Sequence, residues 1–112
     1  MRVPHLNRAL VLERETSVKD GGGGFRTSWE PMGTLWAEVL AGGGTTRDRQ
    51  SVGISRVDYR ITVRAMPFGA DARPKAGQRF REGTRVFRIL AVAERGTDGR
   101  YLNCKAREET AV

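Results

Sequence analysis

Nucleophilic, acid–base and metal chemistry would first call on one histidine, His5, and one cysteine, Cys104, at opposite ends of a 112-residue chain. A Ser-His-Asp or Cys-His arrangement needs a base held against its nucleophile. Nothing in the sequence places His5, in the polar arm Met1–Leu6, near Cys104. A zinc site needs several Cys or His ligands at suitable spacing, and there is one of each. Glu108-Glu109 reads as an acidic pair in a polar tail, not a pair held in a cleft. The glycine run Gly21–Gly24 is not followed by Gly-Lys-Ser/Thr, so it does not form a phosphate loop. The expectation is a protein that is not an enzyme and that uses no cofactor and no metal.

The charge pattern is more informative. The formal net charge is +7, and most of the basic residues are arginine. Residues 1–40 carry five basic and five acidic side chains, whereas residues 41–112 carry fifteen and eight, so the whole excess lies in the second part. Such a surface suits polyanions or acidic protein partners, and it also suits an ordinary solvated face. A single cysteine excludes a disulfide framework within the chain. No apolar run approaches the roughly 18 residues of a membrane span, and the N-terminus is too short and polar for a signal peptide. A soluble cytoplasmic protein with no membrane contact is expected.

Strands must position whatever these charges do. Ile54–Ala65 has the cleanest alternation: Val57, Tyr59, Ile61, Val63 and Ala65 share one face, and Arg56, Asp58, Arg60, Thr62 and Arg64 the other. That second face must reach water, acidic groups or a neighbouring chain, which makes Arg56, Asp58, Arg60 and Arg64 candidate interface residues. Leu35–Leu40 forms the strand before it, with Trp36 either a core aromatic or an interface one, the core being the favoured place. Between the two lies a polar, glycine-flanked excursion at 41–53, with Gly42, Gly43, Gly44, Thr45, Thr46, Arg47, Asp48, Arg49 and Gln50 as candidate functional residues. Further strands are expected at Asn7–Arg14, Phe25–Trp29, near Phe80, at Arg85–Ala93 and at Arg100–Ala106. Lys19–Gly24, Pro31-Met32-Gly33 and Arg95–Gly99 read as turns or breaks. Cys104 shares a face with Leu102 and Ala106 and reads as a small buried apolar residue. The fold expected is all-β: one domain over 1–112, a six- to seven-stranded barrel or sandwich with a long protruding loop. An arm precedes it at 1–6 and a frayed polar tail follows at 107–112.

A nucleic-acid-binding barrel is the alternative reading. It would interleave aromatic and basic residues on one strand face. Alternation instead puts Tyr59 opposite the arginines of its strand and Phe80 opposite Arg79 and Arg81.

The order of motifs carries a further reading. Leu6-Asn7-Arg8, Leu12-Glu13-Arg14, Asp20-Gly21-Gly22-Gly23, Trp29 and Gly33-Thr34-Leu35-Trp36-Ala37-Glu38-Val39 come first. Val57-Asp58-Tyr59-Arg60-Ile61-Thr62-Val63-Arg64, Lys75-Ala76-Gly77-Gln78-Arg79-Phe80 and Gly83-Thr84-Arg85-Val86-Phe87-Arg88-Ile89 follow. The series, covering roughly 6–106, resembles the head-tail adaptor or head-closure (stopper) family of tailed bacteriophages, including the similar proteins of gene transfer agents. The resemblance implies a small β-barrel subunit of a ring, a hexamer or dodecamer, assembled in the bacterial host cytoplasm. In the particle neck the ring would sit between the portal-bound adaptor protein and the tail terminator protein, retain packaged double-stranded DNA and dock the tail. It further implies that the 41–53 loop projects into the DNA channel or makes contacts between subunits.

Overall fold

The computed structural model describes residues 2–42 and 57–109. They form six strands: β1 (Arg8–Lys19), β2 (Phe25–Ala41), β3 (Asp58–Arg64), β4 (Arg79–Glu82), β5 (Arg85–Arg95) and β6 (Tyr101–Glu109). All neighbours are antiparallel, and the order β1-β2-β3-β6-β5-β4 closes into a barrel when β4 returns to β1. The all-β barrel expected from the alternation is what the chain forms.

Alternation fills the interior. Leu10 and Leu12, Ala37, Ile61 and Val63, Phe80, Phe87 and Ile89, and Leu102, Cys104 and Ala106 are buried together. Phe80 and Phe87 are register partners across β4 and β5 and are the largest fully buried side chains. Burial pushes the Cys104 thiol up to about 12, which suits an inert packing residue.

Four expectations need correction. The segments Phe25–Trp29 and Leu35–Leu40 are one strand, not two separated by Pro31-Met32-Gly33. A bulge absorbs the irregularity: Leu12 pairs with Gly33, Glu13 pairs with Pro31, and Met32 is the extra residue. Gly33 takes φ 142°, which a side chain would resist, and proline is tolerated at such bulges and on open edges. Trp36 is outside the core and 60 % exposed. Its neighbours Leu35 and Ala37 take the inward positions, so alternation turns Trp36 outward, opposite Ala9. Residues 107–109 do not fray; they continue β6, because Arg88 pairs with Arg107 and Phe87 with Glu108 in register. The first strand likewise runs past Arg14 to Lys19.

The arm is also more than a loose end. Residues 2–7 cross the outside of the barrel as a strap. Arg2 forks onto both oxygens of Glu38 at 2.9 and 2.8 Å, the His5 backbone N–H donates to Glu38 Oε2 at 2.9 Å, and Arg95 donates to the Arg2 carbonyl at 2.7 Å. Pro4 is buried. In register, Glu38, Thr62 and Asn103 form one outward row across β2, β3 and β6. Glu38 and Thr62 are 5 % and 1 % exposed despite facing outward, and Thr62 donates to Asn103 Oδ1 at 2.9 Å.

The Arg2 guanidinium, opposed by burial and helped by the His5 amide, pulls the Glu38 carboxyl from an ordinary 4.5 to about 2. A carboxyl depressed in this way stabilises the fold fully above its ordinary value, and that stabilisation is lost as pH falls towards 2. Urea unfolding of wild type and Glu38→Gln should therefore differ most at neutral pH and converge between pH 4.5 and 2. A constant gap across that window would rule out the strap as an ionic contact.

Candidate assembly surface

With the barrel interior filled by side chains, interactions with other molecules must use its ends, its outer face or its projections. One end is sealed by an inward layer beyond the core. Arg8, Tyr59, Glu82, Arg85 and Glu108 continue the inward rows of β1, β3, β4, β5 and β6. Arg8 pairs with Glu82, and Arg85 forks onto Glu108 at 2.8 and 3.1 Å. The Tyr59 ring meets Phe87 edge-on at 5.2 Å, and the Arg85 guanidinium sits 4.9 Å from the Phe87 centroid. Arg8 holds Glu82, and Arg85 holds Glu108, below the usual carboxylate range.

A second network crosses the outer face. In register, Glu13, Arg79, Arg88, Arg107 and Asp58 form one row through β1, β4, β5, β6 and β3. Three arginines side by side would repel one another, but buried carboxylates close the row at both ends. Glu13 accepts from Arg79 Nε at 2.7 Å and Arg81 Nε at 2.9 Å; Asp58 accepts from Arg107 Nε at 3.0 Å. Arg88 pairs with Glu109 at 2.9 Å. Burial works against the charge on Glu13, but the two guanidiniums outweigh it and keep the carboxyl below its ordinary value. Trp29 is gripped by the guanidiniums of Arg79, at 4.1 Å from its ring centroid, and Arg88, at 5.1 Å. The sequence signal for this row is the period-two recurrence of charge in Arg79/Arg81 and in Lys105/Arg107/Glu109. Reading 107–109 as tail hides its second half.

Of the residues singled out from sequence, Gly42 ends the β2–β3 connection at its base, where its N–H donates to the Asp58 carbonyl at 2.6 Å. A Cβ there would lie 2.9 Å from that carbonyl oxygen. Gly43, Gly44, Thr45, Thr46, Arg47, Asp48, Arg49, Gln50 and Arg56 lie outside the described residues. Asp58, Arg60 and Arg64 share the outer face of β3 but not one environment. Asp58 is only 3 % exposed and turned towards Arg107. Arg60 stands opposite Leu40 and Lys105, and Arg64 opposite Tyr101; both are exposed and, among the described residues, neither meets a carboxylate. A shallow groove of about 500 Å³ lies beside Arg60, with Lys105, Asn103, Ala91 and Ala93 along it. Sequence reasoning did not find the exposed apolar residues Phe25 and Phe68 as surface features, and for Trp36 it favoured the core over an interface. The aromatics expected for base stacking are not available: Phe80 and Phe87 are fully buried and Tyr59 packs against the core.

Comparison with known proteins gives this surface its context. A family model described as phage head completion protein matches residues 1–109. The chain belongs to that family. A structural role in the head of a phage or phage-like particle goes with the membership. The head completion protein is also similar to a chain in a solved structure described as the virion of a native gene transfer agent particle. That similarity has 54 % identity and a TM-score of 0.78, covering 97 % of this chain and all of the other. No curated protein gave a match. The resemblance carried by the ordered motifs is thus borne out by both the family and the structural neighbour.

The outer row makes a quantitative expectation for this head completion protein. Glu13→Ala removes the buried carboxylate that Arg79 and Arg81 share and should cost about 1–3 kcal/mol in urea unfolding. Glu30→Ala, which breaks only the exposed Arg14–Glu30 pair, should cost less than about 1 kcal/mol. Equal costs would mean that the row does not hold the barrel together.

Proposed function

We propose that this head completion protein forms a ring in the neck of a phage or gene transfer agent particle. The ring lies between a portal-bound adaptor and the tail terminator, retains packaged double-stranded DNA and provides the surface on which the tail docks. Its role is structural, not catalytic.

The observation that carries this reading is the end-to-end similarity, at 54 % identity, to a chain of a gene transfer agent virion. Geometry supports it. A barrel filled by Phe80, Phe87 and the aliphatic core has no room for DNA inside. Any channel must therefore lie between copies arranged about an axis, and a closed ring uses one pair of complementary patches repeatedly. Arg60 and Arg64, charged and exposed without carboxylate partners among the described residues, are suited to such a contact.

Two experiments test the reading. Particles assembled without this chain should have heads that fill but lose DNA and lack tails; tailed particles that keep their DNA would overturn the proposal. Charge reversal, Arg60→Glu with Arg64→Glu, should leave thermal unfolding of the isolated chain within about 0.5 kcal/mol of wild type while sharply lowering the yield of tailed particles. Loss of fold stability equal to the loss of assembly would assign these arginines to the barrel instead.

A further inference from the structure

One part of the chain is not accounted for by the barrel. Beyond the bulge, β1 residues 14–19 pair, among the described residues, only with β2 residues 25–30, in the register Arg14↔Glu30 to Lys19↔Phe25. β4 touches β1 only at 11–13, and β3 touches β2 only at 37–41. The two strands therefore leave the barrel as a ribbon about 20 Å long at ~3.3 Å per residue. Among the described residues, its outer edges are open on both sides, along Arg14–Lys19 of β1 and along Phe25–Trp36 of β2.

The ribbon is shaped rather than frayed. At its tip the Asp20 N–H donates to the Gly24 carbonyl at 3.1 Å, and the Asp20 carboxylate accepts from the N–H groups of Gly22 and Gly24 at 2.8 and 3.0 Å. Those amides hold the Asp20 carboxyl below its ordinary value. Most of its side chains are exposed, including Phe25 at 69 % and Val18 at 40 %. A two-stranded ribbon with no third layer is marginal in water, and open edges are templates for further strand pairing.

We propose that the ribbons of neighbouring copies pair side by side, the open β2 edge of one copy with the open β1 edge of the next, into a continuous sheet around the ring axis. This rests on the ring reading above and specifies its contact. The occupant is a second copy because the two open edges already complement each other. The register that sets Arg14 against Glu30 at 2.9 Å within the ribbon, used again between copies, sets the next copy's Arg14 against Glu30. It also sets the next copy's Lys19 against the exposed Phe25 ring, a cation–π pair. Pairing β2 with β2 about a two-fold axis would leave both β1 edges open. Adding β1 to β2 satisfies every edge with one repeated, head-to-tail contact that can close.

The test places the photo-crosslinking residue p-benzoylphenylalanine at Phe25 and, in a second variant, at Val18, and irradiates assembled particles. The expected product from both is a ladder of multimers of this chain, with adducts mapping to residues 14–19 of the neighbouring copy for the Phe25 variant. Copy number per particle, from quantitative mass spectrometry, separates the two readings. Several copies with adducts only to a different protein would overturn ribbon pairing and leave the ring standing. A single copy per particle would overturn both. Failure of either variant to enter particles is resolved by the other. If both fail, amide hydrogen exchange on wild-type particles serves: protection of residues 14–19 and 25–30 beyond that in the free chain supports the pairing, and unchanged exchange overturns it.

Discussion

The barrel closes through a seam only three residue pairs long, Val11↔Arg81, Leu12↔Phe80 and Glu13↔Arg79. So short a ladder contributes few backbone hydrogen bonds, and side chains on both of its faces make up the difference. On the inside, Leu12 and Phe80 are fully buried against each other's neighbours. On the outside, the Glu13 carboxylate takes one guanidinium from each of Arg79 and Arg81, joining β1 to β4 with charge-assisted bonds where the backbone contact is thin. The bulge between Leu12 and Glu13 falls at this same point. It lets β1 finish its barrel duty at Glu13 and leave as half of a ribbon.

From that seam the remaining organisation follows. Neutralising Glu13 with arginines from β4 starts a transverse row that needs a second carboxylate at its far end, and Asp58 supplies it from β3. The strap does similar work on the other side, where the Arg2 fork satisfies an otherwise buried Glu38. Buried acids, each met by arginine, let a small and strongly basic chain keep a closed barrel while leaving Arg60 and Arg64 to face outward.

Most of the barrel is legible in the period-two patterns of the sequence. Ile61 and Val63, Phe87 and Ile89, and Leu102, Cys104 and Ala106 are inward where alternation puts them. What escapes is long-range or breaks a local rule. Pro31-Met32-Gly33 looks like a strand break, and only the partner strand shows that it is a bulge inside a 17-residue strand. Trp36 is large enough to suggest burial, but its position between two inward residues decides its direction. Arg2 and Glu38 lie 36 residues apart, a pairing no local pattern announces. The candidate interface is legible in part: alternation places Arg60 and Arg64 outward, yet puts Asp58 beside them without revealing that Arg107 claims it. The family, by contrast, is readable from the order of motifs, because that order encodes the succession of strands and turns.

The chain thus builds a filled barrel, and we propose that its projections and charged outer face carry its relations with other molecules. On the ring reading proposed above, a filled barrel of this shape lines a channel by repetition about an axis. The most direct measurement of that claim is an electron cryomicroscopy reconstruction of the particle neck at a resolution that traces β2 and β3. The expected result is a closed ring of these barrels around the DNA path, between adaptor and tail terminator. A neck holding no such barrel, or one copy away from the axis, would contradict it.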